Sequence, residues 1–377
     1  MKVLLTGANG FIAQNLSVRL TELQDFEVVS FSKQSLEQDL TQLVADIDAV
    51  VHLAGVNRPP SPEEFALGNT GLTETLAKAL LATGKPIPVI FSSSTQAALD
   101  NPYGQSKLAA ELALRTYAAY SGAAVFIYRL PNVFGKWCKP NYNSAVATFC
   151  HHISNGLPIQ INDKDAALSL VYVDDVVDEF ISVLTTLNAD AKPEPVQDFY
   201  IIPVQYKTTV GQVAELIASF KDSRNSLITE PVGTGLVRAL YSTYMSYLLP
   251  EGFAYQVPKY SDPRGGFVEM LKTKESGQFS YFTAHPGVTR GGHYHHTKTE
   301  KFLVIKGQAR FGFRHILTNE SFTLLTSGDL PTVVETIPGW AHDITNVGDD
   351  EMIVMLWANE IFDRDRPDTI ASKVTDE

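Results

Sequence analysis

Over its first 130 residues the chain alternates short apolar runs with helical patterns. KVLLTG, EVVSF, AVVHLAG and PVIFSSS are the runs, and FIAQNLSVRLTEL and TETLAKALLATG lie between them. Strands separated by helices need crossover connections, so this alternation predicts a parallel sheet covered by helices on both faces. Beyond about Pro258 the texture changes. FLVIKGQARFGF, TVVETIP and EMIVMLWA are short β-rich segments punctuated by Gly and Pro, which predicts an antiparallel jelly roll. The Tyr-rich stretch from about Leu240 to Tyr260, interrupted by Pro250, Gly252 and Pro258, reads as the connection. The expected organisation is therefore an α/β domain over residues 1–245, a linker over 246–260 and an all-β domain over 261–377. No internal repeat or low-complexity tract interrupts it.

Composition agrees with two domains. A chain of 377 residues with 44% hydrophobic content exceeds what one ordinary core organises. No apolar run approaches the roughly 20 residues that span a bilayer, and MKVLLTGANG has no signal-peptide design, so the expectation is a cytoplasmic protein with no membrane partner. Cys138 and Cys150 are too few for a disulfide framework. A net charge of −12 and a pI near 5.2, without a long basic cluster, argue against a nucleic-acid surface.

Gly7, Gly10 and Ala13 follow the first apolar run and open a helix. Small residues there let backbone approach a pyrophosphate, whose charge meets the helix N-terminus, so this is a candidate dinucleotide site of a Rossmann-type, doubly wound sheet. At the end of the second strand, where an acid would bind a ribose 2′-hydroxyl, stand Ser32 and Lys33. That pair favours NADPH over NADH. Further on, Tyr103 and Lys107 are four residues apart and share a helical face. A nearby ammonium would lower the phenol's pKa and let Tyr103 deliver a proton to a carbonyl during hydride transfer. Lys107 would also hold the nicotinamide ribose.

TGANGFIA, HLAG (His52 to Gly55), SSS (Ser92 to Ser94), YGQSK, RLPNVFG (Arg129 to Gly135) and VYVDDVV (Val171 to Val177) occur in the order found in the extended short-chain dehydrogenase/reductase family, which residues 1 to about 240 resemble. The resemblance implies that Ser94, or failing that Ser93, hydrogen-bonds the substrate carbonyl, with Tyr103 as acid/base and Lys107 as its partner. The interval from Ser94 to Tyr103 is shorter than in most relatives. Asn132 reads equally as a residue near substrate or nicotinamide and as a turn-stabilising amide. Asp174 and Asp175 read as helix-bracing residues.

In the second half, Gly287, five residues, His293, Tyr294, His295, four residues, Glu300, six residues and Gly307 match the first cupin motif. PGWAHDITN supplies the second through Pro338, Gly339, His342 and Asn346, without the usual spacer between Pro and Gly. His293, His295, Glu300 and His342 thus form a candidate site for one divalent ion per chain, zinc first, because three imidazoles and a carboxylate suit a borderline cation. His296 falls outside that set. SDPRGGFVEM (Ser261 to Met270), GVTRGGHY (Gly287 to Tyr294) and IPGWAHDI (Ile337 to Ile344) resemble the cupin sugar-nucleotide 3,5-epimerases. There the histidine matching His293 is the base that removes a proton beside a ketone. His293 is thus claimed both as ligand and as base, and a ligated imidazole has no free lone pair for the second role. We favour ligation, with Tyr294 and His315 as weak alternatives for the base.

The fusion, together with GVNRP, DNPYG, FGKWCKPNYNS, HHTKTEKFLV and GDLP, is similar over the whole chain to the bacterial CapF-type enzymes of capsular and O-antigen polysaccharide synthesis. The resemblance implies C3 epimerisation of a UDP-linked 2-acetamido-4-keto-6-deoxyhexose in the cupin and NADPH reduction at C4 in the N-terminal domain. The product would be a UDP-L-talosamine-type sugar on the route to N-acetyl-L-fucosamine, made by a homodimer. Two other readings stay open: a reductase whose cupin only binds substrate or dimerises, and a non-enzymatic nucleotide-sugar or NADP sensor.

Overall fold

Lys2–Thr6 (β1), Glu27–Phe31 (β2), Ala49–His52 (β3), Val89–Ser94 (β4) and Val125–Leu130 (β5) form one parallel sheet in the order β2-β1-β3-β4-β5 in a computed structural model of the chain. The structure describes residues 1–35, 39–59, 61, 63–189, 198–262, 265–268, 270–273, 277–360, 363 and 365–375, with backbone alone at 259–262, 265–268, 272, 278 and 280. Phe11–Glu22 (α1) connects β1 to β2, and it packs against the helix Val173–Asn188. Leu72–Ala82 (α2) and Pro102–Ser121 (α3) pack on one another and place Leu76, Leu80, Leu114 and Tyr117 on Leu4, Val50, Phe91 and Ile127 of the sheet. The runs of β1 and β3 are apolar at successive positions because central parallel strands are covered on both faces.

The second half is a sandwich of two antiparallel sheets. Its strands are Ala254–Gln256 (β6), Gln278–Ala284 (β7), Thr289–Tyr294 (β8), Glu300–Lys306 (β9), Gln308–His315 (β10), Ser321–Ser327 (β11), Thr332–Glu335 (β12), Trp340–Asn346 (β13), Met352–Ala358 (β14) and Ile370–Ala371 (β15). One sheet runs β6-β12-β9-β14-β7 and the other β11-β10-β13-β8-β15. Phe302 on β9 meets Phe311 on β10 at 5.7 Å between ring centroids, so the aromatic core lies between the sheets.

By packing, the chain divides into Met1–Phe134, Tyr142–Ser144 and Leu168–Lys207 as one unit, and Gly135–Asn141, Ala145–Ala167 and Thr208–Glu377 as the other. The helices Ala145–Ser154, Val210–Ser226 and Gly235–Met245, which the sequence pattern places with residues 1–245, thus pack with the sandwich. A buried ion network is one physical cause. Arg224, on the helix Val210–Ser226, pairs with Glu335 of β12, which also pairs with Lys301 of β9, and all three charges are largely withdrawn from water. Removing one partner of such a network leaves a buried charge unpaired, so the helix is held to the sheet.

Candidate functional sites

The first site lies at the C-terminal ends of β1 to β4. Gly7 has φ of +68°, and a Cβ there would stand 2.8 Å from the backbone of Ala54, so only glycine fits the turn between β1 and α1. Gly10 caps α1 in extended conformation, and its N–H donates to the Gly7 carbonyl at 2.7 Å. Gly7, Gly10, Ser32, Lys33, Ala54 and Gly55 line one cavity of about 700 Å³, large enough for a dinucleotide's adenosine and pyrophosphate portions. Ala13 is only 1% exposed and is not part of that lining. Its small size serves helix–sheet packing instead. Sequence reading missed Asn9 and Gln34, which also line the cavity: the Gln34 amide oxygen accepts from the Ser32 hydroxyl at 2.7 Å and from Asn9 Nδ2 at 3.0 Å.

Asn101 starts α3 by accepting the N–H of Gly104 at 2.8 Å, and Pro102 follows it, which sets the helix that carries both Tyr103 and Lys107. Ser94 ends β4 and caps the short turn that follows, accepting the Gln96 N–H at 3.2 Å. Across that short interval the Ser94 hydroxyl acts on the Tyr103 phenol, drawing its pKa down against burial. Ser93 is otherwise engaged. Its hydroxyl donates to Glu111 at 2.5 Å, and Glu111 is gripped by Arg129 through two bonds of 2.9 and 2.7 Å. Between the two serines left open by the sequence, the geometry thus leaves Ser94 beside the phenol.

One expectation is corrected. Burial raises the pKa of Tyr103, with the Ser94 hydroxyl pulling the other way, whereas Lys107 was expected to lower it. The Lys107 ammonium donates to the Ser92 carbonyl at 2.9 Å and sits 5.0 Å from the Phe91 ring centroid. Burial brings its own pKa down to about 8, opposed by Glu111. Unfolded, the lysine titrates near 10.5, so the unfolded chain binds more protons between those values and stability rises with pH across that window. At neutral pH the buried ammonium costs on the order of 3 kcal/mol. Lys107→Met is therefore expected to abolish reduction yet raise the urea midpoint at pH 7, with the gain shrinking towards pH 10; a midpoint lowered equally at both values contradicts this.

The remaining residues are placed simply. Asn132 is exposed, with Nδ2 3.4 Å from the Ser169 carbonyl. Asp174 and Asp175 occupy the first turn of the helix Val173–Asn188, where carboxylates complement the helix dipole. His52 is buried between the hydroxyls of Thr6 and Thr73, at 2.7 and 2.9 Å, and desolvation brings its pKa down to about 3.

In the sandwich, the pairing of β8 with β13 slips at Gly291, which has φ of +97° and lies so close to the His342 carbonyl that a Cβ would stand 2.9 Å from it. This bulge sets His293 directly opposite His342, with ring centroids 4.8 Å apart. His295 lies two residues on and shares the face. Glu300 begins β9. Ligand atoms of His293, His295, Glu300 and His342 all lie within 4.8 Å of one another.

Tautomers decide what this cluster can hold. His295 Nδ1 is 2.6 Å from the Asp368 carbonyl, an acceptor only, so Nδ1 carries a proton, and Nε2 faces Glu300 Oε2 at 3.1 Å. His342 Nδ1 likewise faces the Trp340 carbonyl at 3.4 Å, leaving Nε2 without a hydrogen-bond partner 3.5 Å from the same oxygen. Imidazole nitrogens and a carboxylate oxygen converging in a buried space form a donor set that suits a divalent ion such as zinc. Burial, then His342 and His295, bring the pKa of His293 down to about 3, which keeps it neutral.

Neither weak alternative for the base lies here. His315 Nδ1 accepts the N–H groups of Leu317 and Thr318, at 3.1 and 3.2 Å, and its ring packs on Trp340. Tyr294 points to the other face of β8, against His296, which itself is outside the cluster. A cavity of about 150 Å³ opens beside His293, Glu300 and His342, lined also by Arg290, Phe302, Phe311 and Asp343. Burial pushes the Asp343 carboxyl pKa up, and Arg310 at 3.3 Å opposes it. Sequence reading missed Asp343, although it directly follows His342. Pro263, Arg264 and Glu269 of the epimerase-like segment lie outside the described residues.

The parallel sheet, its glycine turn and the Tyr–Lys helix define a short-chain dehydrogenase/reductase-type domain joined to an antiparallel β-sandwich. Residues 3–197 match the NAD dependent epimerase/dehydratase family, which implies a nicotinamide cofactor, and residues 260–370 match the polysaccharide biosynthesis C-terminal domain. The chain is 56% identical over 374 residues, 99% of each chain, to the UDP-2-acetamido-2,6-beta-L-arabino-hexul-4-ose reductase of Pseudomonas aeruginosa. It matches the crystal structure of the capsular polysaccharide assembling protein CapF from Staphylococcus aureus at 40% identity with a TM-score of 0.67, covering 99% of this chain and 100% of that one. The NAD complex of a Bacillus cereus UDP-glucuronic acid 4-epimerase, 20% identical with a TM-score of 0.51 over 60% of this chain and 83% of that one, shares the fold. The chain belongs to the CapF-type family of polysaccharide-biosynthesis enzymes.

Proposed function

We propose that the protein epimerises a UDP-linked 2-acetamido-4-keto-6-deoxyhexose at C3 in the sandwich and reduces it at C4 in the α/β domain, giving a UDP-2-acetamido-2,6-dideoxy-L-talose-type product towards UDP-N-acetyl-L-fucosamine. The observation that carries the reading is whole-length likeness to a UDP-hexul-4-ose reductase in a chain with a dinucleotide-sized cavity, against whose Gly55 the Lys107 ammonium lies. NADPH, favoured by Ser32 and Lys33 on the cavity wall, supplies hydride when bound. Ser94 holds the C4 oxygen by a hydrogen bond, and Tyr103, kept protonated by burial, gives that oxygen its proton. Lys107 orients the ribose.

The ketone serves both centres. It acidifies the C3 proton by delocalising the resulting carbanion as an enolate, and it is the group later reduced. A zinc ion held by His293, His295, Glu300 and His342 would supply Lewis acidity. Arg290 and Asp343 line the adjoining cavity together with the candidate ligands His293, Glu300 and His342. An exposed apolar strip of Phe279, Tyr281 and Ile305 on the sandwich supports a homodimer. Among the described residues no helix is long and apolar enough to cross a membrane.

Incubation with the UDP-4-keto sugar in deuterated water tests the whole scheme. Without NADPH, deuterium should enter C3 of the ketone; with NADPH, the product should carry C3 deuterium and protium at C4. Reduction with no deuterium at C3 leaves a reductase with an accessory sandwich, and faster turnover with NADH overturns the cofactor choice.

A further inference from the structure

The C-terminal segment crosses the candidate metal centre as a strap. β15 pairs with His293 and Tyr294 on the edge of β8, and the Ser372 N–H donates to the Gly292 carbonyl at 2.8 Å. Just before β15, Asp368 takes φ of +39°, a conformation that Asp tolerates better than most residues. Its carbonyl is the acceptor that fixes the His295 tautomer. Its carboxylate accepts three successive N–H groups, from His296, Thr297 and Lys298 at 2.9, 2.8 and 2.7 Å, and the Thr297 hydroxyl at 3.0 Å. Those residues form the turn between His295 and Glu300, so one half-buried carboxylate sets the spacing of two candidate ligands. The neighbours of Asp368 extend the grip: the Lys298 ammonium donates to Thr369 Oγ1 at 3.0 Å and to the Pro367 carbonyl at 3.4 Å, and stands 4.0 Å from Glu300 Oε1.

We propose that Asp368 is a positioning residue for the divalent-metal centre, holding His295 and the 296–298 turn in the binding geometry from 70 to 73 residues downstream. The inference rests on the metal reading of the four-residue cluster. Ionised acceptors make the stronger hydrogen bonds, and three converging on one turn leave it little freedom. Groups that orient a ligating imidazole typically change metal affinity 10- to 100-fold when removed.

The test uses the full chain, stripped of metal by a chelator, as wild type, Asp368→Ala and Asp368→Asn. Zinc affinity is read by competition with a chromogenic chelator, and ligand geometry by the visible spectrum of the Co(II)-loaded protein. The expected result is one zinc per wild-type chain, a Kd about 10- to 100-fold weaker with an altered cobalt spectrum in Asp368→Ala, and an intermediate Kd in Asp368→Asn, which keeps one acceptor oxygen. NADPH affinity should be unchanged in both variants. Equal zinc affinity and an unchanged spectrum in Asp368→Ala overturn the role of Asp368 while leaving the metal centre standing. If circular dichroism shows that Asp368→Ala is unfolded, Asp368→Asn against wild type decides by the same two readings. A wild-type chain that takes up no zinc removes the metal reading itself, and the role of Asp368 with it.

Discussion

Tyr103→Phe is expected to lower ketone reduction by about 10²- to 10⁴-fold while leaving NADPH affinity essentially unchanged. The variant deletes one hydroxyl and keeps the ring, which packs against Phe65 at 5.6 Å, so neither α3 nor the glycine turn is disturbed. The loss should fall on kcat, because the proton moves only in the transition state. Burial raises the phenol's pKa, so the wild-type rate should hold through neutral pH and fall only as the phenol ionises in the alkaline range. Deuterium exchange at C3 should survive, since that step is proposed for the cluster in the sandwich. Stopped-flow NADPH oxidation and NMR of the sugar decide the matter. Turnover near wild type excludes Tyr103 as proton donor, and loss of both activities indicates a single shared site.

His342→Ala or Glu300→Gln should cost the protein its divalent ion, about one per chain in the wild type, as read by elemental analysis. His342 and Glu300 are 4% and 8% exposed, so neither gap is readily replaced by solvent ligands. An ion present at a thousand times its Kd stabilises the folded state by about 4 kcal/mol, and its loss should appear in calorimetry as a lower transition for the sandwich. C3 exchange should fall with it. NADPH binding should not change, because the cavity that Gly7 and Lys33 line belongs to the other unit. Metal-free wild type with full exchange activity rejects ligation and returns His293 to the role of base.

Much of both sites was legible because short-range periodicity fixes which side chains share a face. Tyr103 and Lys107 are one helical turn apart, and His293 and His295 are one strand repeat apart, so each pair was set by local geometry alone. The turn from Gly7 to Gly10 was legible for the same reason: a positive φ and close backbone approach admit glycine and little else. The alternation of strands and helices gave the parallel sheet, and the Gly- and Pro-punctuated runs gave the sandwich.

What remained illegible depended on residues far apart in the chain. Ser94 was separated from Ser93 by Glu111 and Arg129, which lie 18 and 36 positions beyond Ser93 and take up its hydroxyl. The direction of the Tyr103 shift came from burial, which no spacing encodes, and the Lys107 ammonium went to a carbonyl instead of the phenol. The helix Val210–Ser226, which follows the α/β pattern in sequence, packs with the sandwich in part because its Arg224 meets Glu335 across 111 positions. The sequence by itself determined which residue types stand on which face of each element. Tertiary structure alone decided their protonation, their partners and the strap at Asp368, because desolvation and hydrogen bonding depend on what the folded chain brings against a group, not on its neighbours along the chain.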